Sequence, residues 1–461
     1  MLDKTLAHDV LGAALSTGGD FAELFVENNA KNTISMINGV VEKAQAGIDY
    51  GAGIRIFNGF NAIYAYTNDT SRENLLKTAL AAAGALQKGG HTQVKPLVQL
   101  QYEPLHVYKI LPAGVQKGTI AAMLREAHAG AVGRSPLIKQ TQANYSDSVQ
   151  DVLITNSDGL WAEDRRIRTR VGFGAVASSD TEKQDAFFGP GCLSGLEFYD
   201  TINFNELGKK AADIAVTMLK AKLCPSGKMP VVIDNGFGGV ILHEACVHGL
   251  EATSVAKKAS VFADKLGQQI ASDIVTAVDD GTMPNEWGSI NIDDEGGKTR
   301  RNVLIEKGIL KTFLIDRLNG LKMGMDPTGS SRRESYRYAP TSRMTNTFIV
   351  NGKDKQADII ADTEYGLYAK KMGGGSVNPP TAEFNFAVTE AYMIRNGKIA
   401  EPVRGATLIG KGHEVLLNID RVSDNFAQEQ GMCGSESGSV PTNVGQPMIR
   451  VKELIVGGRS E

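Results

Sequence analysis

Only four cysteines occur in the 461 residues. That is too few for a disulfide framework, so a reducing compartment is the better expectation. No run approaches the ~18 consecutive apolar residues of a membrane-spanning helix. The start, Met1-Leu2-Asp3-Lys4 and then an amphipathic stretch, lacks the basic head and apolar core of a secretory signal. Together these absences lead us to expect a cytoplasmic protein. An excess of one charge is missing as well: 49 Lys and Arg stand against 52 Asp and Glu, a net charge of -3. That balance gives no electrostatic ground for expecting nucleic acid or an anionic membrane as a partner. There is no low-complexity tract and no charged tail. With 42% apolar and 22% charged residues, a disordered chain, a coiled coil and a collagen-like fibre are excluded.

Glycine, by contrast, is plentiful at 51 residues, and several turns are explicit. Asn38-Gly39, Asn58-Gly59 and Asn396-Gly397 each lie between β-like runs. Asn-Gly suits a two-residue hairpin because both central residues take positive φ. Antiparallel sheet is therefore expected there, not the strand–helix alternation of a doubly wound fold. Helical spacing marks an N-terminal helix, a second helix after a capping box at Thr70-Ser71-Arg72-Glu73, a third over about 119–131 and a fourth over about 206–222. The pattern predicts an α+β protein, mostly antiparallel sheets with flanking helices. A duplicated α+β unit is expected over 1–88 and, after a connection, over 89–222. A larger β-rich domain is expected over 223–461, starting after Cys224-Pro225-Ser226-Gly227. The β-like runs in it include 309–316, 383–394 and 414–422, the last beginning just after His413.

The most informative stretch is His243-Glu244-Ala245-Cys246-Val247-His248-Gly249-Leu250-Glu251. Two imidazoles can bind Zn²⁺, and a carboxylate beside one of them can deprotonate a water on the metal. The familiar spacing sets two His four apart on one helical face. Here they are five apart, a rotation of roughly 140° on a regular helix that would splay the rings. A π-bulge or distorted turn between His243 and His248 is therefore predicted. Zinc calls for a third protein ligand. Cys246 sits within the motif but would point away. Cys192 and Cys224 lack neighbouring ligands, and Cys433 lies among small residues, Gly431-Met432-Cys433-Gly434, that permit close approach. Any single Cys is more often an inert buried thiol.

Further motifs run in order along the chain: Asp293-Asp294-Glu295-Gly296, Ser335-Tyr336-Arg337-Tyr338-Ala339-Pro340, Arg343-Met344-Thr345-Asn346-Thr347, Met372-Gly373-Gly374-Gly375 and Val444-Gly445-Gln446-Pro447. With the His-Glu motif and Gly431-Met432-Cys433-Gly434, they make the sequence resemble the TldD/PmbA family of zinc metalloproteases, also called modulators of DNA gyrase. The likeness to the TldD branch covers nearly the whole chain. That branch keeps the His-Glu-x-x-x-His motif, which the PmbA (TldE) branch has lost. The resemblance implies His243, His248 and Cys433 as metal ligands. It departs at Val247, where a Gly often precedes the second His and a β-branched residue stiffens the turn.

The function expected on this basis is zinc-dependent hydrolysis of unfolded or small peptides, with Glu244 as general base and then general acid. Gly374 and Gly375, in a glycine-rich strand edge, are expected to pair with an extended peptide backbone. Arg343 is expected at the substrate; together with Tyr336, Arg337 and Tyr338 it is a candidate for stabilising the oxyanion, and scaffold or a surface salt bridge is the plainer reading for most of these four. The resemblance also implies a homodimer or a heterodimer with a PmbA/TldE-like paralogue. The alternative is a non-catalytic regulator that binds a protein partner, as the gyrase name suggests. An aminopeptidase would share the chemistry but needs an amine pocket whose carboxylates the sequence does not single out.

Overall fold

The computed structural model describes residues 2–86, 89, 92–378 and 381–458; Lys88, the expected end of the first unit, lies outside them. Helix α1 (Lys4–Ala14) leads into β1 (Phe21–Ile37), β2 (Val40–Asn58), β3 (Asn61–Thr67) and helix α2 (Arg72–Gly84). The order then recurs: α3 (Lys117–Val132), β4 (Ile138–Asn156), β5 (Leu160–Ser178), β6 (Lys183–Phe188) and α4 (Phe204–Lys220). The two sets share one sheet, ordered β3-β2-β1-β4-β5 with β6 on β5, because β1 pairs antiparallel with β4 along its length.

The turn residues account for the hairpins. Asn38 and Gly39 have φ of 49° and 79°, and Asn396 and Gly397 have φ of 50° and 67°. The turn expected at Asn58-Gly59 falls one residue later, since Asn58 pairs with Asn61 and only Gly59 has positive φ. The capping box also shifts: Ser71, not Thr70, caps α2, accepting from the Asn74 amide at 3.4 Å. Helices α3 and α4 pack on the β4–β5 half of the sheet over a core of Ile34, Leu124, Phe173, Ala211 and Ala215. A Cβ at Gly208 would lie 1.9 Å from the Ala127 carbonyl, so only glycine lets these two helices approach so closely.

After α4 the chain builds two further large sheets, besides a short pairing of Ser331–Arg332 with Thr341–Ser342. The strands are β7 (Gly227–Ile233), β8 (Ala277–Asp280), β9 (Arg301–Glu306), β10 (Asn346–Ile349), β11 (Tyr365–Asn378), β12 (Glu383–Arg395), β13 (Lys398–Arg404), β14 (Thr407–Lys411), β15 (Ala427–Ser435), β16 (Gly438–Gln446) and β17 (Ile449–Gly457), with helix α5 (Val240–Ala245) after β7. The path β11-β7-β17-β14-β12 closes into a ring, because β11 also pairs with β12. The other sheet runs β9-β8-β10-β16-β15, with β10 and β16 parallel. Between them, Val240, Ile241, Leu242, Ala245 and Val247 fill one continuous apolar core.

Two of the expected β-like runs differ. Residues 412–417, including His413 and Glu414, form a short helix, with Val415 and Leu416 buried against the core; the strand begins only at Ile419. Its first residue, Gly412, lies against Ala245 of α5, where a Cβ would meet the carbonyl oxygen at 1.8 Å. In 309–316 only Ile309 and Leu310 pair as a strand, and Asp316 instead caps a helix over Arg317–Met323. No helix among the described residues is long and apolar enough to cross a membrane.

A buried ionic network joins the N-terminal sheet to the C-terminal part. Arg55 on β2 bridges Glu23 at 2.7 Å and Glu295 at 2.6 Å, and Arg333 meets Glu23 at 2.6 Å. Arg166 on β5 reaches Asp294 at 2.7 Å. Phe25, Val152 and Ile154 pack beside this network on Ile292 and Tyr336. Removing one partner of a buried charge group leaves the others uncompensated. Arg55→Met is therefore expected to destabilise the protein by about 3–5 kcal/mol. Arg72→Ala, which breaks the exposed pair with Asp9, should cost less than about 1 kcal/mol. Urea unfolding midpoints of the two variants check the contrast.

Candidate metal centre

The site is built on a helix that stops early. Before α5 the chain turns through Gly236-Phe237-Gly238-Gly239, and a Cβ at Gly239 would stand 2.5 Å from the Gly445 backbone. Glycine there seats the start of α5 directly on β16. The helix ends at Ala245 because Cys246 takes φ -129° and ψ -61°, and residues 247–250 continue as a tighter 3₁₀ turn. The break solves the spacing of five: it is the distorted turn, not a π-bulge. The ring centroids of His243 and His248 stand 5.0 Å apart, at 86° to each other.

The thiol comes from a segment 190 residues away in sequence. Cys433 lies on β15, paired with Val440 of β16, and its Sγ is 3.3 Å from Nε2 of both His243 and His248. Among the described residues, only these three side chains form a cluster of three or more His, Cys, Asp or Glu able to hold a metal ion, with ligand atoms within 4.8 Å of one another. For a tetrahedral zinc with Zn–N of about 2.0–2.1 Å and Zn–S of about 2.3 Å, the sulfur–nitrogen separation is about 3.6 Å, so the donors fit after a small outward movement. Cys246, by contrast, is fully buried in apolar surroundings that push its thiol pKa up. Cys192 and Cys224 are likewise outside the cluster.

Electrostatics favour a cation at this point. Burial alone would raise the Cys433 pKa, but His243 and His248 outweigh it and bring the thiol down to about 3. Burial likewise disfavours charge on His248, yet Glu251 and Cys433 raise its pKa well above the ordinary value. Thiolate and carboxylate thus surround the imidazoles with negative charge. Glu244 extends from the last turn of α5 with Oε2 3.6 Å from His248 Nε2, and its side chain is the most exposed of the four at 30%.

A second layer holds these groups. Glu251 accepts from His248 Nδ1 at 3.0 Å, which presents Nε2 toward the thiol. Arg343 stands 3.7 Å from Glu251, and it donates to the Cys433 carbonyl, to Ser437 Oγ at 2.9 Å and to the Gly438 carbonyl at 2.8 Å. The sequence marks Arg343 as a substrate contact. The structure corrects this: Arg343 is fully buried beneath the ligands and has no surface to offer a peptide. Glu251 had no assigned role, although its place three residues after His248 sets it on the same helical face. Tyr336 and Arg337 turn instead to Asp49 of the N-terminal sheet.

The glycine segment divides. Beyond Ala369 the β7 side of β11 has no paired strand among the described residues. Gly374 lies there with nothing within 4 Å of a Cβ position, and it lines a cavity of about 270 Å³ with Phe187, Phe237 and Met372. Gly375 is pressed onto β12, where a Cβ would meet the Asn385 carbonyl at 2.1 Å. A side chain is excluded at Gly375, but its backbone is exposed, as at Gly374.

Comparison with known proteins agrees along the whole length. Three consecutive profiles match: PmbA/TldA metallopeptidase domain 1 over residues 22–86, the central domain over 110–219 and the C-terminal domain over 226–458. The metalloprotease TldD homologue of Buchnera aphidicola from Schizaphis graminum is 33% identical over 452 residues, covering 95% of this chain and 93% of the relative. That of Haemophilus influenzae is 34% identical over 448 residues, with 95% and 93% covered. Among solved structures, a Thermotoga maritima protein described as a proposed modulator of a DNA gyrase superposes with a TM-score of 0.81 at 21% identity, covering 98% of this chain and all of its own. TldE from Thermococcus kodakarensis gives 0.77 at 18%, with the same coverage. At these identities the structural likeness speaks for the fold.

Because Arg343 positions ligands without being one, Arg343→Met should weaken Zn²⁺ binding about tenfold to a hundredfold with both imidazoles and the thiol intact. Cys433→Ala should lose more. Competition against a chromophoric chelator measures both, and equal affinity in wild type and Arg343→Met would contradict the positioning role.

Proposed function

The chain belongs to the PmbA/TldD metallopeptidase family, and from that premise we propose that it is a zinc-dependent peptidase acting on small or unfolded peptides. The observation that carries the reading is the convergence of His243, His248 and Cys433, brought from two distant segments, beside an accessible carboxylate. His243, His248 and Cys433 would hold the metal through Nε2, Nε2 and Sγ. A divalent zinc bound there supplies Lewis acidity, polarising the scissile carbonyl and easing deprotonation of water.

The chain's own groups do the rest. Glu244 is partly exposed and stands beside the ligand cluster, where its carboxylate takes the proton from the attacking water. It then returns that proton to the departing amine. Glu251 keeps the His248 ring in one orientation and one tautomer throughout, through the bond at Nδ1. The free edge of β11 around Gly374 offers backbone donors and acceptors to an extended peptide, which gives affinity without strong sequence choice. Such pairing needs a chain not already folded, hence the substrate class. A homodimer, or a heterodimer with a TldE-like paralogue, in the cytoplasm belongs to the same proposal.

A purely regulatory binding protein would have no use for Glu244. Glu244→Gln is expected to lower kcat on a flexible reporter peptide by about 10²-fold or more, the scale of a lost general base, with zinc content unchanged. Equal turnover by both proteins, or none by either, would favour the regulator. Gly374→Pro should raise KM on the same peptide several-fold while leaving metal content intact; an unchanged KM removes this edge from substrate binding.

A further inference from the structure

The N-terminal sheet has one face that is polar where an apolar lining would be usual. Residues of β1, β4 and β5 fall there in cross-strand rows: Thr33–Ser146–Arg170, Lys31–Ser148–Arg168 and Asn29–Gln150–Arg166. Neighbouring rows are about 6.8 Å apart, twice the rise of a strand. All these side chains line a cavity of about 340 Å³, roofed from the C-terminal part by Trp287, Arg332, Met432 and Pro441.

The charges of this cavity do not balance. Arg166 and Arg333 are matched by Asp164, Asp294 and Glu23. Arg168 and Arg332 are not, although they are only 7% and 4% exposed. Arg168 donates to the carbonyls of Trp287 at 3.1 Å and Ser289 at 2.9 Å. Arg332 donates to those of Met344 at 2.7 Å and Pro441 at 2.6 Å. Neither has a carboxylate within ion-pair distance among the described residues. Burial and the neighbouring Arg168 push Arg332 down to about 9, and burial and the neighbouring Arg166 push Arg168 down to about 10. Arg170 adds a third guanidinium over the Trp287 ring, at 5.5 Å from its centre, and Lys31 stands at the exposed mouth. Buried guanidinium charge of this kind is unfavourable unless an anion completes it.

We propose that this cavity binds the side-chain carboxylates of an extended acidic peptide segment. The row spacing equals the i, i+2 repeat of a strand-like chain, so successive same-side acids meet successive rows. Asp147, Asp294 and Glu334 also line the cavity, which disfavours a continuous polyphosphate and favours discrete carboxylates. The site adjoins the metal centre through β15. Met432 faces the cavity, and the next residue, Cys433, faces the histidines. A substrate anchored here is therefore held on the opposite face of the same hairpin from the metal. The assignment names a substrate class for the proposed peptidase and rests on that reading.

Trp287 supplies the probe, since the chain has only two tryptophans. In full-length protein carrying Trp161→Phe, Trp287 fluorescence is titrated with a C-terminally amidated decapeptide bearing Glu at alternate positions, and with its Gln counterpart. The Glu peptide should bind at least tenfold more tightly than the Gln peptide, with affinity falling as NaCl rises. Arg168→Gln should bring the Glu-to-Gln ratio toward one, and Arg168→Lys should restore part of it. Equal binding of the two peptides by the parent protein overturns the proposal even if Arg168→Gln does not fold, and so does a ratio that Arg168→Gln leaves unchanged. Tighter binding of a single-stranded oligonucleotide of equal charge also overturns it. Cleavage of both peptides with equal affinity would sink this site and spare the peptidase; selective binding without zinc-dependent cleavage would do the reverse.

Discussion

One buried guanidinium, Arg343, holds the candidate site together. It pairs with Glu251, which orients His248, and it donates to the Cys433 carbonyl, which places the thiol. The same group grips Ser437 and Gly438 at the tip of the β15–β16 hairpin. Two ligands from segments 185 residues apart therefore answer to one planar fork. Arginine suits the position because its donors are fixed in a plane and its charge persists under burial. A lysine could reach one of these partners but not all of them.

The histidine pair depends on a different constraint, the failure of α5 to continue. A regular helix would have carried His248 away from His243, and the backbone of Cys246 prevents this by leaving the helical region. Packing enforces the break. Cys246, Val247 and Leu250 are wholly buried in the core between the closed ring of strands and the β8–β10 sheet. The glycines of the preceding turn let α5 sit against β16, the partner strand of β15. Helix position and thiol position are thus set by the same pair of strands.

Much of this was legible in the sequence, for reasons particular to each element. Asn-Gly turns state their backbone geometry directly, so the hairpins at 38–39 and 396–397 could be read off. Periodic apolar residues gave the four long helices. The helix at Gly412–Leu417 was not legible, because six residues carry too little periodicity and its contact with Ala245 is tertiary. Arg343 reads as an accessible cation in sequence, since only the fold shows that strands close over it. The Arg166-x-Arg168-x-Arg170 alternation was a signal of another kind. It is visible as a period of two, but its meaning depends on β1, β4 and the C-terminal roof facing the same space.

Register joins these features. Along β15 successive side chains point to opposite faces, so Met432 and Cys433 serve different compartments. A slip of one residue would turn the thiol toward the arginine-lined cavity and the thioether toward the histidines. Around the thiol the β15 sequence does little to oppose that slip, because Gly431, Gly434 and Ser435 fit either face. What opposes it is the hairpin end, where Gly438 takes φ of 84° and Ser437 is held by Arg343, together with Arg332 on the Pro441 carbonyl. Two buried arginines, one facing each compartment, thus keep a nearly featureless strand in the one alignment that gives each compartment its own residue.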